Sequence, residues 1–436
     1  MQRIDVPDVV TAAGGGRVIG VRLVAGAGRT SASYLPNLAD ESVSEKFVSS
    51  AIDVPDMSAI RDWVTQHLDE VLIDIDRLVR IESFSADKTG LHAALSEVED
   101  LAQRRLGNAA VRMRYDGGAY GDVLRLIYGG VDAEDISEPM LVVSHYDTVW
   151  PKGTLANWPI VRHGNEITAP GIFDMKSGLV CGVWALAACK ALDVPAAAVE
   201  FLFTGDEEVG SPFSQSLIEE TARAASGALV LEASINGTMK TGRKGVGIFG
   251  LTARGVSAHA GLEPEKGASA VHTLAKLVGE LIALARPEIG TTINVGTFNG
   301  GTGTNVVAAE ARISIDIRLT DPAEMARLDA EFAKLQSSDP RVALLWDGGW
   351  NRPPMVVNDK TVVLRDKARA VATGLGYELQ DITVGGGSDG NFISAVGCAV
   401  LDGLGPGGGG AHATHEHIDV TTIPQQICLI AGLLAR

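Results

Sequence analysis

Short apolar runs that stop abruptly in polar clusters recur along this chain, and they constrain its fold more than any other feature. Met140 to Val143 is followed by Ser144-His145-Tyr146-Asp147. Val199 to Phe203 is followed by Thr204-Gly205-Asp206-Glu207-Glu208-Val209-Gly210, and Ala228 to Leu231 by Glu232. A wholly apolar run of this length reads as a strand buried on both faces. Helical patterns separate the runs: Leu179 to Leu192 after the first and Ser214–Ala225 after the second. Strand, polar cluster and helix in repetition predict an α/β sheet whose chemistry gathers at the strands' carboxyl ends.

The remainder of the chain divides around that pattern. Residues 1–56 are rich in Gly, Ala and Ser with weak periodicity, and are expected to be a poorly ordered N-terminal extension. Apolar residues recur at helical spacing from Ile60 to Ile81, a second helix is expected over Leu91 to Arg105, and strands over Ala110–Tyr115 and Val123–Tyr128. Near Lys240 the texture changes. Strands at Val246–Arg254, Thr291–Phe298 and Ala311–Leu319 alternate with helices at Gly267–Ala285 and Met325–Leu335, the order of a compact β-α-β-β-α-β unit. The expected division is therefore 57–241 with 353–436 as one domain, and 242–352 as an inserted α+β, ferredoxin-like domain. The first pattern resumes with a helix at Lys360–Thr373 and two glycine-rich stretches, Gly385–Gly390 and Gly403–His417.

Composition narrows the class. A net charge of −17 argues against binding nucleic acid or an anionic membrane surface. Uninterrupted apolar runs fall short of the roughly 18–20 residues that a membrane span needs. The beginning, MQRIDVPDVV, lacks a basic region followed by an apolar one, so it is not read as a secretory signal. Cys181, Cys189, Cys398 and Cys428 form no CxxC pair and are expected to be buried free thiols. These features lead to the expectation of a soluble cytoplasmic protein.

The polar clusters supply a ligand set. His145 and Asp147 lie two apart, so on extended backbone they share a face. Asp174 follows a Pro-Gly turn and opens a helix. An imidazole with a carboxylate behind it, and further carboxylates at strand ends, suit zinc with orienting partners. The candidate ligands are His145, Asp174, Glu208, Glu232 and His412. Each alone has an ordinary explanation as a helix cap or a loop residue; their joint arrangement is what points to metal.

The motifs SHYDTVWPKG, PGIFDMKSG, TGDEEVGS, LEA, GVSAHAG, GGGSDG and HATHE, from Met57 to the end of the chain, resemble the glutamate carboxypeptidase/aminoacylase family of dinuclear zinc hydrolases. The wording of DTVWPKGTL and GIFDMKSG is most similar to its carboxypeptidase G branch. The resemblance implies a mixed-sheet catalytic domain with helices on both faces and an inserted lid and dimerisation domain. It implies two divalent metal ions, expected as Zn2+ with Mn2+ or Co2+ as alternatives. His145 and Glu232 would hold one, Glu208 and His412 the other, and Asp174 would bridge them, with a cis peptide after it. Asp147 would orient His145, and Glu207 would be the general base and acid. His259 would stabilise the oxyanion, in many members from the partner subunit. Asn305, Arg318, Arg352, Gly387 and Ser388 would contact substrate, the arginines through a carboxylate.

Departures from the family pattern are Ala233 where a proline is usual, Thr168-Ala169-Pro170-Gly171 in place of Gly-Pro-Gly, and two further histidines, His415 and His417. His412 is preferred as ligand because it precedes Glu416 by the usual four residues, with His415 as the fallback. The expected function is hydrolysis of an amide beside a carboxylate, in a small-molecule or short-peptide substrate, by a homodimer. The alternatives are deamination of an amino-substituted aromatic acid at the same site, and an inactive binding protein. The second of these would be favoured by a lost ligand or a lost Glu207, and neither is lost.

Overall fold

The computed structural model describes residues 56–130 and 136–436; the expected N-terminal extension, apart from Asp56, lies outside them. Six strands form the main sheet, in the order Val111–Tyr115, Val123–Tyr128, Val199–Thr204, Met140–His145, Gly227–Val230 and Val400–Leu401. The first three pair antiparallel and the last four run parallel, so the sheet is mixed. The strands Met140–His145, Val199–Thr204 and Gly227–Val230 are buried at every position, as their largely apolar runs predict; Glu200, the charge within them, pairs with Arg125 at 2.6 Å. All four parallel strands deliver their carboxyl ends to one edge, where His145, Glu207, Glu208, Glu232 and Asp402 follow.

Helices cover both faces, as expected. On one face the Ser177–Ala191 helix is buried almost throughout, surrounded by the helices Met57–Gln66, Leu68–Val79, Lys88–Leu106 and Ile423–Leu434. The helical stretch Ile172–Ala191 has the length and mean composition of a membrane-crossing segment, although Asp174, Lys176 and Lys190 interrupt its apolar run, and 94% of its most apolar 18-residue window is buried inside the protein. Its composition is that of a core helix with neighbours all round. On the other face Gln215–Ala224 and Gly390–Ala395, the latter through Phe392 and Ile393, pack over Leu141, Val143 and Leu202. All four cysteines are buried free thiols.

The periodic segment from Ile60 to Ile81 is two helices, not one. His67 leaves helical geometry (φ −101°, ψ 9°), stacks on Trp63 and donates from Nδ1 to the Trp63 carbonyl at 2.8 Å. The ring shares the Trp63 carbonyl with the His67 backbone N–H, which bonds it at 3.2 Å, and the chain turns there.

The inserted unit has four antiparallel strands in the order Thr292–Gly300, Glu310–Leu319, Gly245–Arg254, Ala343–Arg352. With helices Ala270–Ile282 and Ala323–Phe332 this is the ferredoxin-like arrangement. Alternate residues Phe249, Leu251 and Ala253, with Ile313, Ile315 and Ile317, face those helices in a separate apolar core. The intervening residues Val246, Ile248, Asp316 and Arg318 lie on the face without helices.

A buried carboxylate ties the helical layer together. Asp74, 1% exposed, accepts from Arg105 Nε at 2.8 Å, Trp184 Nε1 at 3.0 Å and Arg104 at 3.3 Å. The Arg105 guanidinium also lies 4.2 Å from the Trp184 ring centre. Removing the acid leaves the buried Trp184 Nε1–H without its partner, while the part-exposed Arg104 and Arg105 keep Glu97 and Glu70, so Asp74→Ala is expected to lower unfolding free energy by about 2 kcal/mol. Urea unfolding measures this; a loss below about 1 kcal/mol would show that the helices dock without the carboxylate.

Candidate metal centre and active site

The ligand candidates meet at the carboxyl edge of the main sheet. His145 ends its strand, with Nε2 3.1 Å from Asp174 Oδ1 and 3.6 Å from Glu232 Oε1. His412 Nε2 lies 3.4 Å from the other Asp174 oxygen and 3.1 Å from Glu208 Oε2. Asp174 therefore turns one oxygen toward each imidazole. Glu207 lies among His145 and Glu232, close enough for one ion to reach all three. His415 is exposed and makes no such approach among the described contacts; the loop brings in His412, at φ +61°, instead.

Each of these side chains has a support. Asp147 is fully buried: Oδ1 accepts from the Glu207 N–H and Oδ2 from the Glu208 N–H, both at 3.2 Å, and Oδ2 also from Ser85 at 2.8 Å. His145 Nδ1 bonds the Asp147 carbonyl at 3.0 Å and lies 3.4 Å from its carboxylate. One residue thus orients the imidazole and holds the turn carrying two glutamates. The Asp174–Met175 peptide is cis, as the resemblance implied.

Glu416 fixes the loop before Asp174. Its buried carboxylate accepts from the backbone N–H groups of Gly171, Phe173 and Asp174 at 2.9–3.1 Å and from Trp150 Nε1 at 2.8 Å. Sequence reasoning used Glu416 only as a spacing marker; nothing in HATHE signals that its partners lie some 240 residues back. Arg243 and Asp402 were also missed. Arg243 makes a two-pronged pair with Asp402, 2.7 Å on each side, and approaches Glu232 at 3.7 Å. The Asp402 strand is only two residues long, too short for a periodic signal.

The remaining candidates fall into three groups. Arg318 and Gly387 line a cleft of about 320 Å³ beside Glu207, Glu208 and His412. Arg352 lines it too, but its guanidinium is engaged. It donates to Glu207 Oε1 at 2.8 Å, to Ser211 Oγ at 3.1 Å and to Asp389 at 3.1 Å. Ser388 is buried, donates from its hydroxyl to Asp402 at 2.5 Å, and has its backbone N–H and carbonyl bonded to Asn391 at 2.9 and 3.1 Å, so its groups are already engaged. His259 and Asn305 sit together in the inserted unit, where the Ala260 N–H bonds the Asn305 carbonyl at 2.9 Å. Both are exposed, and among the described contacts neither touches the ligand cluster.

Electrostatics in this cluster calls for cations. Burial raises Glu208 to about 7 and holds Glu207 well above the usual carboxylate range. Burial also opposes ionisation of Asp174 and of His145. Hydrogen bonds between them, and to His412, Asp147 and Glu232, outweigh it, keeping the aspartate low and the imidazole high. His412 is raised to about 10 by its bonds to Asp174 and Glu208. Glu208 Oε1 is buried with no hydrogen-bond partner among the described residues. An orphan carboxylate oxygen, a carboxylate shared between two imidazoles, and a donor set of N and O together fit divalent metal.

Comparison with known proteins agrees. Over 375 residues the chain is 29% identical to carboxypeptidase G2 of Pseudomonas sp. (strain RS-16), covering 84% of this chain and 88% of that one. It is 28% identical over 323 residues to succinyl-diaminopimelate desuccinylase of Xanthomonas oryzae pv. oryzae, covering 68% and 84%. The fold matches the crystal structure of aminopeptidase PepT from Bacillus cereus with a TM-score of 0.72 at 23% identity, covering 84% and 98%. Residues 141–436, which carry every candidate ligand, match the model of peptidase family M20/M25/M40, and the chain belongs to that family of metal-dependent hydrolases.

Proposed function

We propose that this hydrolase cleaves an amide bond adjacent to a carboxylate, in an N-acyl amino acid or the C-terminal residue of a short peptide. The observation that carries the reading is Asp174, one oxygen toward each of two imidazoles, with Glu207 beside the cluster and the cleft opening from it. His145 and Glu232 would hold one divalent ion and Glu208 and His412 the other, with Asp174 shared, and zinc is the ion proposed. Two such ions, when bound, supply Lewis acidity that polarises the amide carbonyl and acidifies water.

The chain's own residues do the rest. Glu207 takes a proton from the attacking water and returns it to the departing nitrogen. Arg352 holds the Glu207 carboxylate through Oε1, and Asp147 holds its backbone, so the base is fixed from two directions. The Arg318 pair with Asp316 is part-exposed on both sides, a weak ion pair that a substrate carboxylate can replace. Gly387 lines the cleft through its backbone. His259 and Asn305, exposed on the inserted unit, would serve the active site of a second copy in a homodimer. The four buried thiols suit a reducing, cytoplasmic setting.

Glu207→Ala is expected to keep its metal content while turnover of an N-acyl amino acid drops about 10²- to 10⁴-fold. Metal analysis with steady-state kinetics decides this, and near-normal turnover would sink the assignment. Exhaustive chelation should abolish release of the free amino acid, and zinc should restore it. Glu416→Ala is expected to weaken metal binding about 10- to 100-fold, read by competition against a chromophoric chelator. Unchanged affinity would show that the Asp174 loop keeps its shape without that carboxylate.

A further inference from the structure

The cleft beside the cluster has a chemical character of its own. In the inserted sheet Val246 stands in register between Arg318 on one neighbouring strand and Arg352 on the other. Two residues on, Ile248 stands between Asp316 and Gly349 and has no side chain over it from the glycine. Across the cleft is Val209, in the turn that carries Glu207 and Glu208. Ile248 is 57% exposed and Val209 52%, although both belong to the wall of a catalytic cleft. Aliphatic groups left open at such a place gain most from covering by an apolar group.

The charges in the cleft are already matched. Arg352 is paired with Glu207 and Asp389, and Arg318 with Asp316. Replacing the part-exposed Asp316 frees one guanidinium for one substrate carboxylate. A second carboxylate would meet Glu207 and Glu208 with no further guanidinium among the described lining residues. Adjacent strands lie about 4.8 Å apart. A carboxylate on Arg318 therefore puts the substituent of the neighbouring carbon against Val246 and Ile248.

From this we propose that Val209, Val246 and Ile248 are specificity-determining residues, selecting an uncharged aliphatic side chain beside the scissile amide over an acidic one. The inference rests on the proposed amide hydrolysis and names its substrate class: monocarboxylate N-acyl amino acids of the leucine and valine type. A glutamyl residue is disfavoured, even though one relative is named a carboxypeptidase G2.

The test is kcat/KM of the zinc-loaded enzyme on N-acetyl-L-leucine, -valine, -alanine, -glutamate and -aspartate. Leucine is expected to exceed glutamate by at least about 10-fold, since a matched apolar pocket discriminates on that scale. Ile248→Lys, at an exposed position that tolerates the change, should shift the leucine-to-glutamate ratio toward glutamate by about 10-fold or more. Glutamate hydrolysed as well as leucine by the wild type, or a ratio unmoved in the variant, would overturn this specificity and leave the amidohydrolase reading standing. If none of the five amides is cleaved, the proposed function falls and this inference with it.

Discussion

Asp174, Glu207, Glu208 and Glu232 converge on His145 and His412 at one edge of a sheet, and that crowding of negative charge is the condition the rest of the structure has to satisfy. Like charges this close and this buried cannot all ionise unaided. The fold answers part of this with fixed positive charge, and pins the turns that carry the acids with two further buried carboxylates. Arg352 reaches Glu207, Arg243 approaches Glu232, and Asp147 and Glu416 accept the N–H groups of the turns that carry Glu207, Glu208 and Asp174. The carboxylates are therefore held in place before any ion arrives, which is what tight binding of a hard cation by a protein requires.

The parallel arrangement explains why these residues meet at all. Four adjacent strands running the same way end at the same level, so residues far apart in sequence arrive at one edge. The inserted sheet contributes from above, with the Arg318, Val246 and Arg352 row facing the same cleft. Arg352 ends the last inserted strand and also bonds Glu207, so the two units share a residue at the site.

Much of this was legible in the residues. The parallel strands are buried, so their sequences are apolar apart from Glu200, which pairs with Arg125, and the polar residues that end them are conspicuous by contrast. The inserted unit alternates cleanly because only one face of its sheet is covered by helices. What escaped notice follows from the same physics. A histidine hydrogen-bonding back to Trp63 splits a helix without disturbing the apolar period. The Asp402 strand is too short to show a period, and the partners of Glu416 are set by tertiary packing alone. For Arg352 the residue type suggested a carboxylate partner but not which one: it lines the cleft, and its partners within the chain are Glu207, Ser211 and Asp389.

The grip of Glu416 on the Gly171 to Asp174 loop also has a meaning in time. The acid and the loop it shapes are separated by 242 residues, and His412 arrives on the same late segment. During synthesis the sheet, its core helix and the whole inserted unit emerge before that segment exists. The earlier carboxylates then stand on a loop that lacks its clamp, with one imidazole still to come. Chains released before it would lack the clamp, one imidazole and the buried helix Ile423–Leu434 that packs on Ser177–Ala191. Hydrolytic competence thus waits on a segment that most of the sheet precedes.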